Sequence, residues 1–175
     1  MKQTSLTTLL LSKGSRLNKG IDLVLENLSH IRDSGGFVLF VGAGDPEYAR
    51  KLRVITREDG GLWVRKPASI IQILPLLAGA DFFLNPSEHE TGGLMPLKAC
   101  RYGAIPITTL NGGLVDNMSD DICIPVFSNY LTRAIDDSVD LYKNKPLLHA
   151  MRADCMKADF SWSTRKAGYL EAYGL

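Results

Sequence analysis

Three stretches of the chain combine residue types that can do chemistry at close range. The first, Ser12-Lys13-Gly14-Ser15-Arg16-Leu17-Asn18-Lys19-Gly20, places two cations, Arg16 and Lys19, just before a helical pattern. An anion seated there would feel both charges and the positive end of the helix. A solvated basic turn accounts for the same residues, since charge runs are usually surface. The second is Asn85-Pro86-Ser87-Glu88-His89-Glu90-Thr91-Gly92-Gly93-Leu94. Gly92 and Gly93 let a ligand approach the backbone, and the start of the following helix offers N–H donors to a diphosphate. Glu90 stands ready to accept hydrogen bonds from hydroxyl groups. A helix start capped by Glu90 or Thr91 would use the same residues. The third, Asn111-Gly112-Gly113-Leu114-Val115-Asp116, is either a tight turn or a second backbone cradle beside the Glu90 loop.

Other signals are weaker. Gly42-Ala43-Gly44 lacks the third glycine of the dinucleotide fingerprint, and Pro46 stands where that fingerprint would open its helix. Strand one ends in Ser12-Lys13, without the acidic pair a signalling receiver would carry. His89 is a neighbour of the Glu90 loop and carries no assigned role. Cys100, Cys123 and Cys155 are widely spaced and form no Cys-x-x-Cys pair, which speaks against zinc and redox motifs and for a reduced, cytoplasmic setting.

These loops need a scaffold. Apolar runs at Thr7–Ser12, Phe37–Val41, Gly61–Arg65, Asp81–Asn85, Ala104–Thr108 and Ile122–Ile124 read as strands. Helical patterns lie between and after them. Lys19–Asp33 carries Ile21, Val24, Leu28 and Ile31 on one stripe and stops at Gly35-Gly36. A helix capped by Asp45 runs to Thr56, and others cover Pro67–Leu77, Gly92–Tyr102, Asn129–Lys143, Pro146–Met156 and Ser161–Tyr173. In the tail, Ser161 is the expected N-cap, with Phe160 and Trp162 as packing residues. Strands alternating with helices imply an α/β, doubly wound, mostly parallel sheet. In such sheets ligands sit outside the carboxyl ends of the strands, where all three stretches fall.

The chain has 175 residues, enough for one domain, and 45% of them are hydrophobic. A net charge of +1, from 20 basic and 19 acidic residues, excludes a broad nucleic-acid footprint. The leucines after Lys2 are too few for a signal peptide and are broken by Lys13. No run reaches the roughly 18 apolar residues of a membrane span.

Taken in order, the motifs resemble the C-terminal domain of bacterial glycogen synthases and plant starch synthases, retaining glycosyltransferases of the GT-B fold. The matching segments are Ser15–Leu23, Gly42–Pro46, Ala78–Ser87, Glu90–Leu94, Arg101-Tyr102-Gly103, Gly112–Asp116, Asp159–Trp162 and Tyr169–Tyr173. The resemblance implies that Arg16 and Lys19 hold the diphosphate of a nucleotide-sugar donor, ADP-glucose or UDP-glucose, and that Glu90 lies beside the transferred glucose. Thr91, Gly92, Gly93 and Leu94, with Gly112 and Gly113, would form the substrate cradle. It implies no metal and no other cofactor. It also implies that residues 1–175 are the donor half alone, inactive without an N-terminal domain or partner chain that carries the α-glucan acceptor.

Several positions depart from the pattern. The loop between Arg16 and Lys19 is shorter than usual, and Pro67-Ala68-Ser69-Ile70 replaces the segment whose tyrosine packs on the nucleotide base. Thr91-Gly92 replaces a Pro-Cys pair, and Lys98 stands where the broader superfamily has a second acid. These departures leave room for an alternative, a degenerate, non-catalytic domain that binds glucan or a protein partner.

Overall fold

The computed structural model describes residues 6–13, 20–43, 50, 54, 62–65, 69–127 and 130–174. Six parallel strands, β1 (Leu6–Lys13), β2 (Gly36–Ala43), β3 (Leu62–Arg65), β4 (Phe82–Asn85), β5 (Ile105–Thr108) and β6 (Ile124–Pro125), form one sheet in the order β3-β2-β1-β4-β5-β6. The chain winds outward from β1 to β3, returns to the centre at β4 and winds outward the other way. This is the doubly wound, Rossmann-like arrangement, and its switch point lies between β1 and β4. Register there runs Thr8 to Phe82, Leu9 to Phe83 and Leu10 to Leu84.

The strands are buried on both faces because apolar side chains occupy both sides of the pleat. Val38, Phe40, Phe82, Leu84, Ile105 and Ile107 belong to one core, and Leu39, Val41 and Phe83 to the other. The larger core is closed by α1 (Ile21–Glu26), α2 (Leu28–Asp33), α5 (Leu131–Lys143) and α6 (Lys145–Lys157), the smaller by α3 (Leu74–Gly79). Helix α4 (Leu94–Arg101) contributes to both, through Cys100 and Ala99.

Local chemistry explains where elements depart from the periodic reading. The expected helix over Lys19–Asp33 is interrupted at Asn27. Its backbone N–H donates three residues back to the Val24 carbonyl (3.1 Å), and its side-chain Nδ2 donates to the Leu23 carbonyl (2.8 Å). A side chain that bonds its own backbone competes with the helical ladder. The Thr132 hydroxyl donates to Asn27 Oδ1 (2.7 Å), tying this break to α5. The apolar stripe survives it, with Ile21, Val24, Leu28 and Ile31 all buried.

In place of one helix over Pro67–Leu77 there is a 3-10 turn, Ile70–Gln72, followed by α3, which carries Pro75 in its first turn. Proline lacks an N–H and suits a helix start, so it opens a new helix and does not continue one. The last strand begins at Ile124 and not at Ile122, because the Ile122 and Cys123 amides both donate to the Ser119 carbonyl (3.0 and 3.1 Å). Arg50 and Val54 are helical; Asp45, Pro46 and the rest of that expected helix, with Gly44 of the glycine turn, lie outside the described residues.

The tail needs a correction. Ser161 is the N-cap of α7 (Trp162–Ala172), but its side chain makes no capping bond. Its N–H instead donates to Asp159 Oδ1 (2.8 Å). Bonds from the Ser161 hydroxyl and N–H hold the Asp159 carboxyl below the usual carboxylate range. Phe160 packs against the core, whereas Trp162 does not: it is 71% exposed and meets only the Tyr169 ring among aromatic partners in the described residues, centroid to centroid 5.1 Å. Helix α7 buries none of its residues.

Candidate functional site

The carboxyl ends of β1, β4 and β5 bring the candidate loops together, and glycines set how closely they approach. Gly20, at the exit of the basic loop, has φ 63° and lies so close to the next strand's loop that a Cβ there would stand 2.0 Å from the Pro86 carbonyl oxygen. Gly112, with φ 51°, sits equally tightly on the Glu90 carbonyl oxygen, where a Cβ would stand at 1.7 Å. The end of the basic loop therefore touches the start of the Glu90 loop, and the Gly112-Gly113 turn touches its end. Both glycines occupy the left-handed region, which other residues enter only with strain.

A polar network beneath these contacts holds the Glu90 loop in shape. Asn85 Nδ2 donates to Thr108 Oγ1 (3.0 Å), Thr108 Oγ1 donates to the Asn85 carbonyl (3.1 Å), and the Ser87 hydroxyl donates to Asn85 Oδ1 (3.2 Å). Asn85, Ser87 and Thr108 are all buried. Thr109 Oγ1 donates to the Ser87 carbonyl, and Asn111 Nδ2 donates to the carbonyls of Ser87 (2.7 Å) and Glu88 (2.9 Å). These groups satisfy loop carbonyls that the sheet cannot reach. Their role was not assigned from sequence. The visible signal is polar residues closing two otherwise apolar strands, Asn85 on β4 and Thr108 on β5.

Glu90 is half-buried, and its Oε1 accepts a hydrogen bond from the Gly93 amide (3.3 Å). The capping use of this carboxylate foreseen for the helix start is thus present. Gly93, in the left-handed region at φ 62°, is the N-cap of α4, and Leu114 packs where its side chain would be. Past Gly93, the amides of Leu94 and Met95 begin the helix without carbonyls of their own turn to bond, and Pro96 offers no N–H. Thr91, Gly92 and Leu94 are exposed at this mouth. Gly113 lies against it, its Cβ position 2.9 Å from the Thr91 carbonyl oxygen. Glu90, Thr91, Gly92, Gly93, Leu94, Gly112 and Gly113 therefore converge. Arg16 and Lys19 lie outside the described residues. His89 is exposed.

The cysteines, scattered in sequence, meet at the far end of α4. Cys155 Sγ and Cys100 Sγ both donate to the Ile122 carbonyl (3.1 and 3.8 Å), and all three cysteines are buried. A hydrogen bond with Cys155, reinforced by burial, pushes the Cys100 thiol up; burial, then the Asp120 charge, pushes Cys123 up to about 12.

Residues 7–140 match the family model of glycosyl transferases group 1. The chain belongs to that family. Among curated relatives, it is 34% identical over 167 residues to the glycogen synthase of Thermodesulfovibrio yellowstonii, a match covering 89% of this chain and 32% of that protein. It spans about a third of the length of the glycogen synthases it matches. Among solved structures, the catalytic domain of starch synthase IV from Arabidopsis thaliana, bound to ADP and acarbose, superposes with a TM-score of 0.81 at 21% identity, over 99% of this chain and 38% of that one. TarM of S. aureus, in complex with fondaparinux, alpha-GlcNAc-glycerol and UDP, does so at 0.78 and 15%, over 97% and 35%. The glycogen and starch synthase resemblance of the motifs holds, and the fold is the C-terminal, Rossmann-like domain of GT-B glycosyltransferases. Among the described residues, no helix is long and apolar enough to cross a membrane.

Proposed function

We propose that this group 1 glycosyltransferase chain is the donor-binding half of a retaining glucosyltransferase that extends an α-1,4-glucan, with ADP-glucose as the donor. The supporting observation is the convergence of the Gly20 end of the basic loop, the Glu90 loop and the Gly112-Gly113 turn on the switch point of the sheet.

In this reading the diphosphate lies over the start of α4, contacted by the amides of Leu94 and Met95 and by Arg16 and Lys19. Sugar transfer with retention passes through an oxocarbenium-like state while charge grows on the departing diphosphate. Fixed cations and amides aimed at that charge stabilise it without reorganising, and they replace a metal ion here. Glu90, held by the Gly93 amide, faces the hydroxyls of the glucose. The acceptor lies on a second domain, carried on the same polypeptide or another, which closes over the donor and excludes water.

Calorimetric titration of the chain with ADP-glucose and UDP-glucose tests the reading. ADP-glucose should bind more tightly, and Arg16→Ala should weaken it about tenfold or more, as expected for losing a charged hydrogen bond to phosphate. Binding indifferent to that change contradicts the reading. A non-catalytic binding domain is the second reading, favoured by the uncovered aromatic face of α7. Adding a separately produced acceptor domain of a glycogen synthase separates the two: glucan extension supports the first, and donor binding without extension supports the second.

A further inference from the structure

A second set of side chains on the same rim is arranged for a ligand. Beyond β6, the Val126 amide donates to the Thr108 carbonyl (2.8 Å), and the Tyr130 amide donates to the Phe127 carbonyl (2.8 Å), so Phe127 and Tyr130 flank one turn leading into α5. The core uses neither ring: Phe127 is 64% exposed and Tyr130 71%. With Pro125, Arg133, Ala134 and Asp137 they line a recess of about 430 Å³, within the size range of small-ligand sites.

Helix α5 divides its polar residues between two directions. Thr132 bonds Asn27, and Asp136 pairs with His30 (2.7 Å), so that side is committed to the first two helices. Arg133 and Asp137 stand four residues apart and line the recess, and neither has a hydrogen bond or ion pair among the described residues. Opposite charges at this spacing commonly pair on a helix. Here both the guanidinium and the carboxylate keep their full hydrogen-bonding capacity toward the recess.

The chemistry of the lining selects the class of ligand. A purely apolar molecule would bury the guanidinium and carboxylate without partners, which is costly. An anion would meet Arg133 but be opposed by Asp137. A neutral ring that is apolar on its faces and hydroxylated at its edge satisfies all four side chains: the faces stack on Phe127 and Tyr130, while hydroxyls accept from Arg133 and donate to Asp137. We propose that this recess is a sugar subsite for a glucose unit of an α-glucan chain, separate from the donor site and two strands away along the rim, roughly 10 Å from the end of β4. The proposal rests on the reading that the acceptor is an α-glucan.

Titrating maltoheptaose into the full chain, followed by amide NMR, tests it. Saturable shifts should appear at residues 125–137. Tyr130→Ala should weaken binding about tenfold, the size expected for one lost stacking ring, Tyr130→Phe should preserve it, and Glu90→Gln should leave it unchanged. Both tyrosine changes fall on an exposed side chain and should leave the melting temperature in place. No shifts at residues 125–137, or shifts untouched by Tyr130→Ala, overturn the proposal. Because ADP is titrated separately, a failure of the donor reading shows as missing shifts at residues 85–94 while the maltoheptaose response persists.

Discussion

The loops after β4 and β5 and the final helix α7 use their residues in opposite ways. In the loops, three buried polar side chains and four close-packed glycines hold one shape, and every bond described there is internal to the rim. In α7, Trp162, Tyr169 and Tyr173 are 71%, 53% and 77% exposed, and the helix buries nothing. The loops form a finished site that needs a ligand. The helix has an apolar face of the kind that marks an interaction surface. That difference fits a chain spanning about a third of its curated relatives, with chemistry built in and one surface left for a further domain.

The largest test of this contrast is Gly112→Ala. Its Cβ would collide with the Glu90 carbonyl in a left-handed backbone, so a loss of about 3 kcal/mol or more is expected in thermal unfolding. Gly92→Ala, with open space around it, should change stability by only about 0.5 kcal/mol. Equal effects would mean the loops do not touch as described.

Next is Asn85→Ala, which strips Thr108 and Ser87 of buried partners and should cost about 2 kcal/mol by urea unfolding.

At the other end of α4, the buried Cys123 thiol titrates at about 12 against an ordinary 9.0. Its contribution to stability is complete below pH 9.0 and is lost as pH rises toward 12, because the unfolded thiol ionises first. The slope is up to about 1.4 kcal/mol per pH unit. Cys123→Ala should flatten this alkaline decline in melts run from pH 8 upward, on the order of that slope.

The smallest effect belongs to α7: Trp162→Ala should shift stability by less than about 0.5 kcal/mol in this chain. A larger loss would show that the helix already has its partner.

Much of this was legible in the residues. The apolar runs of β2, β4 and β5 announced a buried parallel sheet, because strands covered on both faces need no polar alternation. The Glu90 loop and its glycines were legible because a strand end, paired glycines and a helix start together suit few purposes. The break at Asn27 was not, since it depends on Thr132, which is distant in sequence. The scaffold of Asn85, Ser87, Thr108 and Asn111 was hidden for the same reason: each looks like an ordinary turn residue until β4 and β5 lie side by side. Trp162 was misjudged because hydrophobicity alone cannot tell a core position from an interface.

The central claim is that a nucleoside diphosphate lies across the switch point between β1 and β4. Amide shifts on adding ADP to the isotope-labelled chain test it most directly. The account predicts saturable changes at Leu94 and Met95, at Gly112-Gly113 and through residues 16–20, with β3 and α7 silent. Changes confined to other edges of the sheet, or none at millimolar ADP, would contradict it.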